Sequence, residues 1–445
     1  MWTLRILFIA TAFSCAVASA DVTITVTTVA DEDGVGSACS LREAIKAVNT
    51  HAPWGGCPAG SRNSDNTIKL SASTYVLASE LVVTAPVTIE GVATERPDDI
   101  NPYTGTVPNR VRPTTVIDAD HNGRAINASG EILLKDLIIR NGLATENGGA
   151  IYTSANLTLD NVSISDSETG GDGGAVFLAS KIDSTSAGLS MTDAMFLRNV
   201  AAGTGGAVSM TCDGALGAEA QHIVGVLRAL FRENEANAGA GAFRICGNSA
   251  VTMDATTFDG NVSTSGKAAV TYESATAKGT ISLSYLTAVR HDGFVLRIVG
   301  IDSALISNSF FAFNNAANCD AASAVTKTTA GDYNVLSDSS CSALMRPPGS
   351  NNVVNAALAP ESQLGTQLTA FGNHGGLVDG YLPLRVPATV LIDKGQISTQ
   401  CASLVDQRNL PRKSGSACDI GAFERLVPTA NDDEAESTPK TNRLA

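Results

Sequence analysis

The sequence predicts an all-β protein, a right-handed parallel β-helix, and three observations carry that prediction. A glycine phrase recurs, a second phrase alternates with it at fixed spacing, and the residues between them alternate apolar and polar. Gly148-Gly149-Ala150-Ile151 returns as Gly173-Gly174-Ala175-Val176 and Gly205-Gly206-Ala207-Val208, then decays to Ala240-Gly241-Ala242-Phe243 and Lys267-Ala268-Ala269-Val270. The second phrase has the form F-x-x-N: Phe196 to Asn199, Phe231 to Asn234, Phe258 to Asn261 and Phe311 to Asn314, with softer copies at Ile138 to Asn141 and Ile164 to Ser167. The polar end of each phrase precedes the next glycine phrase by 7, 6, 6, 6 and 6 residues. A constant offset between two unrelated phrases is the mark of a repeat.

Successive polar ends lie 26, 32, 35 and 27 residues apart, and the final step of 53 implies two units, one degenerate around Leu286 to Asp292. Periods of 20 to 50 residues indicate units that stack and bury a face against the next. Within a unit, Asn156 to Ile164, Leu189 to Met191 and Gly279 to Leu283 alternate with period two, which argues for short strands with one buried face. No unit holds ten residues of helical periodicity. The paired glycines are expected at a tight corner, Ala and the apolar residue after it at the start of a strand, and each Phe on the Phe of the neighbouring coil. The turn Asn is expected in a left-handed conformation, hydrogen-bonded along its column.

Residues 1–20 read as a secretory signal: Arg5, the apolar run Ile6 to Val17, and Ala18-Ser19-Ala20 as a small-residue cleavage site. Residues 21–113 form the N-terminal section. Val22 to Thr28 alternates as a strand; Cys39 to Asn49 then takes helical spacing, with Leu41, Ala44, Ile45 and Val48 on one face and Ser40/Glu43 as a capping box. An amphipathic helix here is expected to cap the open end of the solenoid, where apolar side chains and strand edges would otherwise meet water. The β-helix proper is placed at 114–350. A Pro-broken, irregular section at 351–426 is expected to cover the last coil, and 427–445 is an acidic tail.

Eight cysteines remain after the signal, and in an exported chain they point to disulfides. They fall into local pairs: Cys39 with Cys57, Cys212 with Cys246, Cys319 with Cys341, and Cys401 with Cys418. Cys212 follows Asn199 by 13 residues and Cys246 follows Asn234 by 12, nearly the same phase in adjacent coils. Strands lie about 4.8 Å apart, close enough for a vertical staple. The formal charge of -14 and pI of 4.8 argue against a nucleic-acid partner.

Cys39-Ser-Leu-Arg-Glu-Ala-Ile45 resembles the signature of CSLREA-domain proteins, exported bacterial β-helix proteins mostly without assigned activity. The two repeat phrases resemble those of polymorphic outer-membrane proteins, which are surface-displayed adhesins. Asn373 to Gly376, Leu391 to Gly395, Asp406-Gln-Arg408 and Cys418 to Glu424 are similar, in order and spacing, to the choice-of-anchor Q segment. Unlike the autotransporting adhesins, this chain shows no strand-rich barrel or apolar helix after Glu424, and Arg425 to Ala445 is polar. That departure leads us to expect a protein released or peripherally held at the cell surface or outside the cell, and a monomer is expected.

Catalytic chemistry has thin support. His291-Asp-Gly293 with Arg297 is the nearest approach to a polygalacturonase-like site, without the paired aspartates that should precede it. Asp166, Glu168 and Asp172 beside Gly170-Gly171 form the one turn rich enough in carboxylates for calcium, against the simpler reading of a solvated acidic corner. Arg140 and Arg198 share a phase and either contact an acidic glycan on one flank or, with Arg232, pair with Glu146, Glu233 or Asp259. Asp406, Arg408, Arg412 and Asp419 are expected to form an ion-pair cluster that fixes an irregular loop. No catalytic, cofactor or metal residue is assigned. The expected function is adhesion or glycan binding without catalysis; the alternative is a polysaccharide lyase or glycoside hydrolase. The insertions at Lys181 to Gly188 and Asp213 to Gln221, which lengthen two repeats, are the first place to look for what differs between coils.

Overall fold

The computed structural model describes residues 21–94, 112–180, 187–212, 220–276, 278–323, 327–328, 331–344, 351–384, 389–397, 401, 404–412 and 415–425. The signal segment, the acidic tail and most of the two insertions lie outside these residues. The chain is an all-β solenoid of parallel strands. Three parallel sheets of 20, nine and five strands run along it, and the one antiparallel pair of strands, Ala93–Thr94 with Arg112–Pro113, stands apart.

One coil shows how the repeat is built. Leu157–Ser165 lies in the long sheet, bent at Asn161 (φ 55°); Asp166 (φ 53°) turns the chain into the short strand Glu168–Thr169, and the glycine corner delivers it to Val176–Leu178 in the nine-stranded sheet. The next coil repeats this in register, Leu157 opposite Leu189, Ile164 opposite Phe196 and Val176 opposite Val208. The 53-residue step resolves into two coils, with Thr287–Val289 paired between Thr257–Asp259 and Phe310–Phe311.

The two glycines of the corner do different work. Gly148, Gly173 and Gly205 have φ of 76°, 73° and 69°, a conformation that a side chain resists. The second glycine accommodates its neighbours: a Cβ on Gly149, Gly174 or Gly206 would overlap the carbonyl oxygen of Gly174, Gly206 or Gly241 in the next coil. Ala150, Ala175 and Ala207 and the residues after them are buried. Phe231 stacks between Phe196 and Phe258, both at 4.9 Å and within 7° of parallel. Each such pair adds about 0.5–1.5 kcal/mol beyond its buried area.

The asparagines depart from expectation. They form the column, but at Asn199, Asn234, Asn261 and Asn314 the left-handed residue is the one before, Arg198, Glu233, Gly260 and Phe313, as Arg290 is before His291; Asn141 takes the expected left-handed conformation itself (φ 57°). The reason lies in the side chain. Asn234 turns inward, where its Oδ1 accepts from Asn199 N at 3.0 Å and its Nδ2 donates to Phe196 O at 2.9 Å and Asn261 Oδ1 at 2.9 Å. The corner bend then falls on the preceding residue, whose left-handed conformation is held by hydrogen bonds to the adjacent coils.

The helix spans Leu41–Thr50 with both halves of the Ser40/Glu43 capping box formed, and Leu41, Ala44, Ile45 and Val48 join the apolar core of the first strands. Glu43 also accepts from Gly34 N at 2.9 Å and Val35 N at 3.2 Å, and Arg42 holds Asp31 through two hydrogen bonds of 2.8 Å. The polar letters of the CSLREA motif therefore tie down the loop that precedes it. The four cysteine pairs lie at disulfide distance, with Cα separations of 4.6, 4.9, 4.9 and 6.3 Å in chain order.

The C-terminal section begins at the last coil, where Leu358 O accepts from Phe313 N at 2.8 Å. It does not stop there. Leu377 and Val378 pack with Leu230, Met195 and Leu197, and Asp379 accepts from Arg112 at 2.6 Å, so the segment runs back as a strap along the outer face of the long sheet. The outward column Met195, Leu230, Thr257, Thr287 and Phe310, continuous in register, is the surface it covers.

Candidate functional site

The strap contains the charged cluster that the sequence singles out near its end. Arg408 and Asp406 form a fully buried ion pair with Nε to Oδ2 at 2.7 Å. Arg412 donates to the carbonyls of Val405, Gly421 and Ala422 and lies 3.8 Å over the Tyr285 ring of the solenoid. Asp419 accepts from the backbone of Asp393 and Arg425 rather than from Arg412, and Glu424, which the cluster did not include, accepts from Asp419 N at 2.8 Å. Burial and the neighbouring Asp419 push the Glu424 carboxyl up to about 9. Gln407 spans two coils, donating to Ala229 O at 2.8 Å and accepting from Thr257 Oγ1 at 2.6 Å. These motif residues hold the strap to the solenoid.

The candidate catalytic and metal residues are occupied in the same way. His291 stands in the asparagine column: its Nδ1 accepts from Asn261 N at 3.1 Å and its own N–H donates to Asn314 Oδ1 at 3.0 Å. Burial lowers its pKa to about 4, so it is a neutral rung. Arg297 turns outward in the nine-stranded sheet toward Glu273 and Asp320, away from His291. Asp166 is gripped by Arg198 at 2.8 and 2.9 Å, Asp172 accepts from Thr204 N at 2.9 Å, and Glu168 is exposed. No group of three metal-ligating side chains converges among the described residues. Arg140 pairs with Asp118 and Arg198 with Asp166, partners one coil away that sequence spacing did not reveal, while Arg232 takes Asp259 and Glu233 as anticipated.

One constellation remains unspent. On the outward face of the nine-stranded sheet, Tyr152, Phe177, Ser209, Arg244, Thr271 and Arg297 stand in successive coils, in register. The Tyr152 and Phe177 rings stack at 5.8 Å. Beside them, a groove of about 180 Å³ is lined by Asp172, Thr204, Arg244, Lys267, Thr271 and Glu273. The hydroxyls of Ser209 and Thr271, 0% and 3% exposed, have no hydrogen-bond partner. Arg244 has one ionic contact among the described residues, 3.7 Å from Asp172. A larger groove of about 350 Å³ at Asp65, Val87 and Glu131 carries no basic side chain. Sequence reasoning missed the Arg244 groove because its residues come from four coils and follow no local motif. The signal available was the phase shared by Ser209, Arg244 and Thr271 after the Ala of each glycine phrase.

Comparison with family models, with curated proteins and with solved structures finds no match to this chain.

Proposed function

We propose that this chain is an exported, non-catalytic, right-handed parallel β-helix, capped by its N-terminal helix, that binds saccharides on the outward face of its nine-stranded sheet. The carrying observation is the groove at Arg244, where Arg244 and Lys267, the carboxylates of Asp172 and Glu273 and the unpartnered Thr271 hydroxyl line one small concavity. Saccharides are recognised by dense hydrogen-bonding groups of this kind set in a concave surface. The kinship with CSLREA and choice-of-anchor Q proteins, secretion or surface display, and a monomeric state belong to the same reading. Four cysteine pairs at disulfide distance support an oxidising location, and no helix among the described residues is long and apolar enough to cross a membrane.

A second reading, polysaccharide lyase or hydrolase, is favoured by Asp172 and Glu273 sharing the groove with Arg244 and Lys267. Purified protein incubated with pectin, alginate and glycosaminoglycans, with and without calcium, separates the two. Retention without new reducing ends or unsaturated products supports binding; turnover transfers the assignment to the second reading; neither retention nor turnover sinks both. The cap is tested by Leu41→Asp, expected to abolish soluble expression.

A further inference from the structure

We infer that the Arg244 groove is a subsite for a carboxylated sugar, a uronic acid residue whose carboxylate is held by Arg244 and Lys267 and whose ring hydroxyls meet Thr271, Asp172 and Glu273. This deepens the saccharide-binding reading and rests on it. The first argument is the Thr271 hydroxyl. A buried polar group without a partner is costly to a fold, and a protein retains one chiefly where something else completes it. Thr271 is 3% exposed, has no partner and lines the groove. Ser209, two coils away on the far side of Arg244 in the same column, repeats the condition.

The second argument is the state of the cations. Elsewhere on this protein arginines are closely paired: Arg198, Arg228 and Arg290 each make two hydrogen bonds to one carboxylate at 2.6 to 2.9 Å. Arg244 instead stands 3.7 Å from Asp172, whose other oxygen is already taken by Thr204 N. Lys267, which also lines the groove, makes no ion pair among the described residues. Two cations with unused donors on one small groove suit a planar anion, because a guanidinium binds a carboxylate through two parallel hydrogen bonds. The carboxylates of Asp172 and Glu273 then serve as acceptors for hydroxyls and reject a ligand that is anionic all round, such as a densely sulfated chain. The corner residues Ala238, Gly239 and Ala240 form a side chain-poor wall against which a sugar ring can lie.

The test uses the full mature chain and defined oligogalacturonates, with their methyl esters and neutral galactose oligomers as controls, measured by calorimetry. Binding of the acid form is expected, weakened about tenfold or more by methyl esterification, by Arg244→Gln and by Lys267→Gln. Arg198→Gln, on another face, is expected to leave it unchanged. Thr271→Val supplies a readout that a purely structural role would not give: it is expected to weaken binding several-fold while leaving the melting temperature of the free protein unchanged or higher. Equal binding of ester and acid, binding indifferent to Arg244 and Lys267, or a destabilised Thr271→Val overturns this inference and leaves saccharide binding standing. No binding of any saccharide overturns both.

Discussion

Two outward faces of the same solenoid are treated in opposite ways. The second half of the long sheet presents Met195, Leu230 and Phe310 in one column, and the strap covers it, with Asp406 paired to Arg408 and Asp259 to Arg290 and Arg232. The nine-stranded face presents Ser209, Arg244 and Thr271 in one column, and its groove remains open with buried hydroxyls unmatched. Folding has closed the first face, although the Tyr285 hydroxyl and one Glu424 oxygen beneath the strap have no partner, and has left a groove on the second. The face with an open groove and loosely paired cations is where binding is to be sought.

Breaking the strap is expected to give the largest effect. Arg408→Ala leaves Asp406 charged and buried, a loss of about 3–5 kcal/mol. Limited proteolysis is expected to cut within 351–425 while the coils stay resistant; a single cooperative loss of both would show that strap and solenoid are not separable. The two regions are next distinguished by pH. The folded pKa of His291 is depressed from 6.5 to about 4, so its contribution is present above pH 6.5 and lost as pH falls toward 4, by up to about 3 kcal/mol. His291→Asn, which restores the rung found at Asn234 and Asn261, is expected to remove that part of the acid sensitivity and leave the part due to His374, whose burial in the strap also lowers its pKa to about 4. Glu424 is raised instead, from 4.5 to about 9. Its contribution is full below pH 4.5 and lost as pH rises through 9, so Glu424→Gln is expected to flatten the alkaline limb of a thermal-melting series. If both variants respond to the same limb, the assignment of one group to each region is wrong.

Within the solenoid, Asn234→Ala orphans Asn199 N–H and Phe196 O, at about 1–3 kcal/mol for each group left unmatched. Denaturant midpoints check it. The smallest change is a gain. Ala255 is held at φ 49° without a side chain able to compensate, and Ala255→Gly is expected to add up to about 1 kcal/mol by relieving the left-handed strain.

The repeat architecture was legible because it is written in short local phrases. Gly173-Gly174, Phe231 and Asn234 each recur at a fixed phase, and a coil touches only its neighbours, so sequence period maps directly onto space. The cysteine pair at 212 and 246 follows from the same map. The Leu41–Thr50 helix was legible from its cap and its apolar face, both contained within eleven residues. The candidate site was not. Lys267 lies at a glycine-phrase position, Asp172 in an acidic turn and Arg244 in an unremarked strand; only stacking coils of unequal length brings them to one groove.

By itself, then, the sequence determined the coil: which residues stack and which form the inner column, all of them set by contacts between neighbours at constant phase. The tertiary structure alone decided which outward face is covered. The strap returns over residues separated from it by as many as 267 positions, from Asp379 to Arg112, and no local pattern records that distance. It also decided the fate of His291, a candidate catalyst by motif and a neutral rung by position, because burial and its partners, not residue type, set the chemistry of a titratable group.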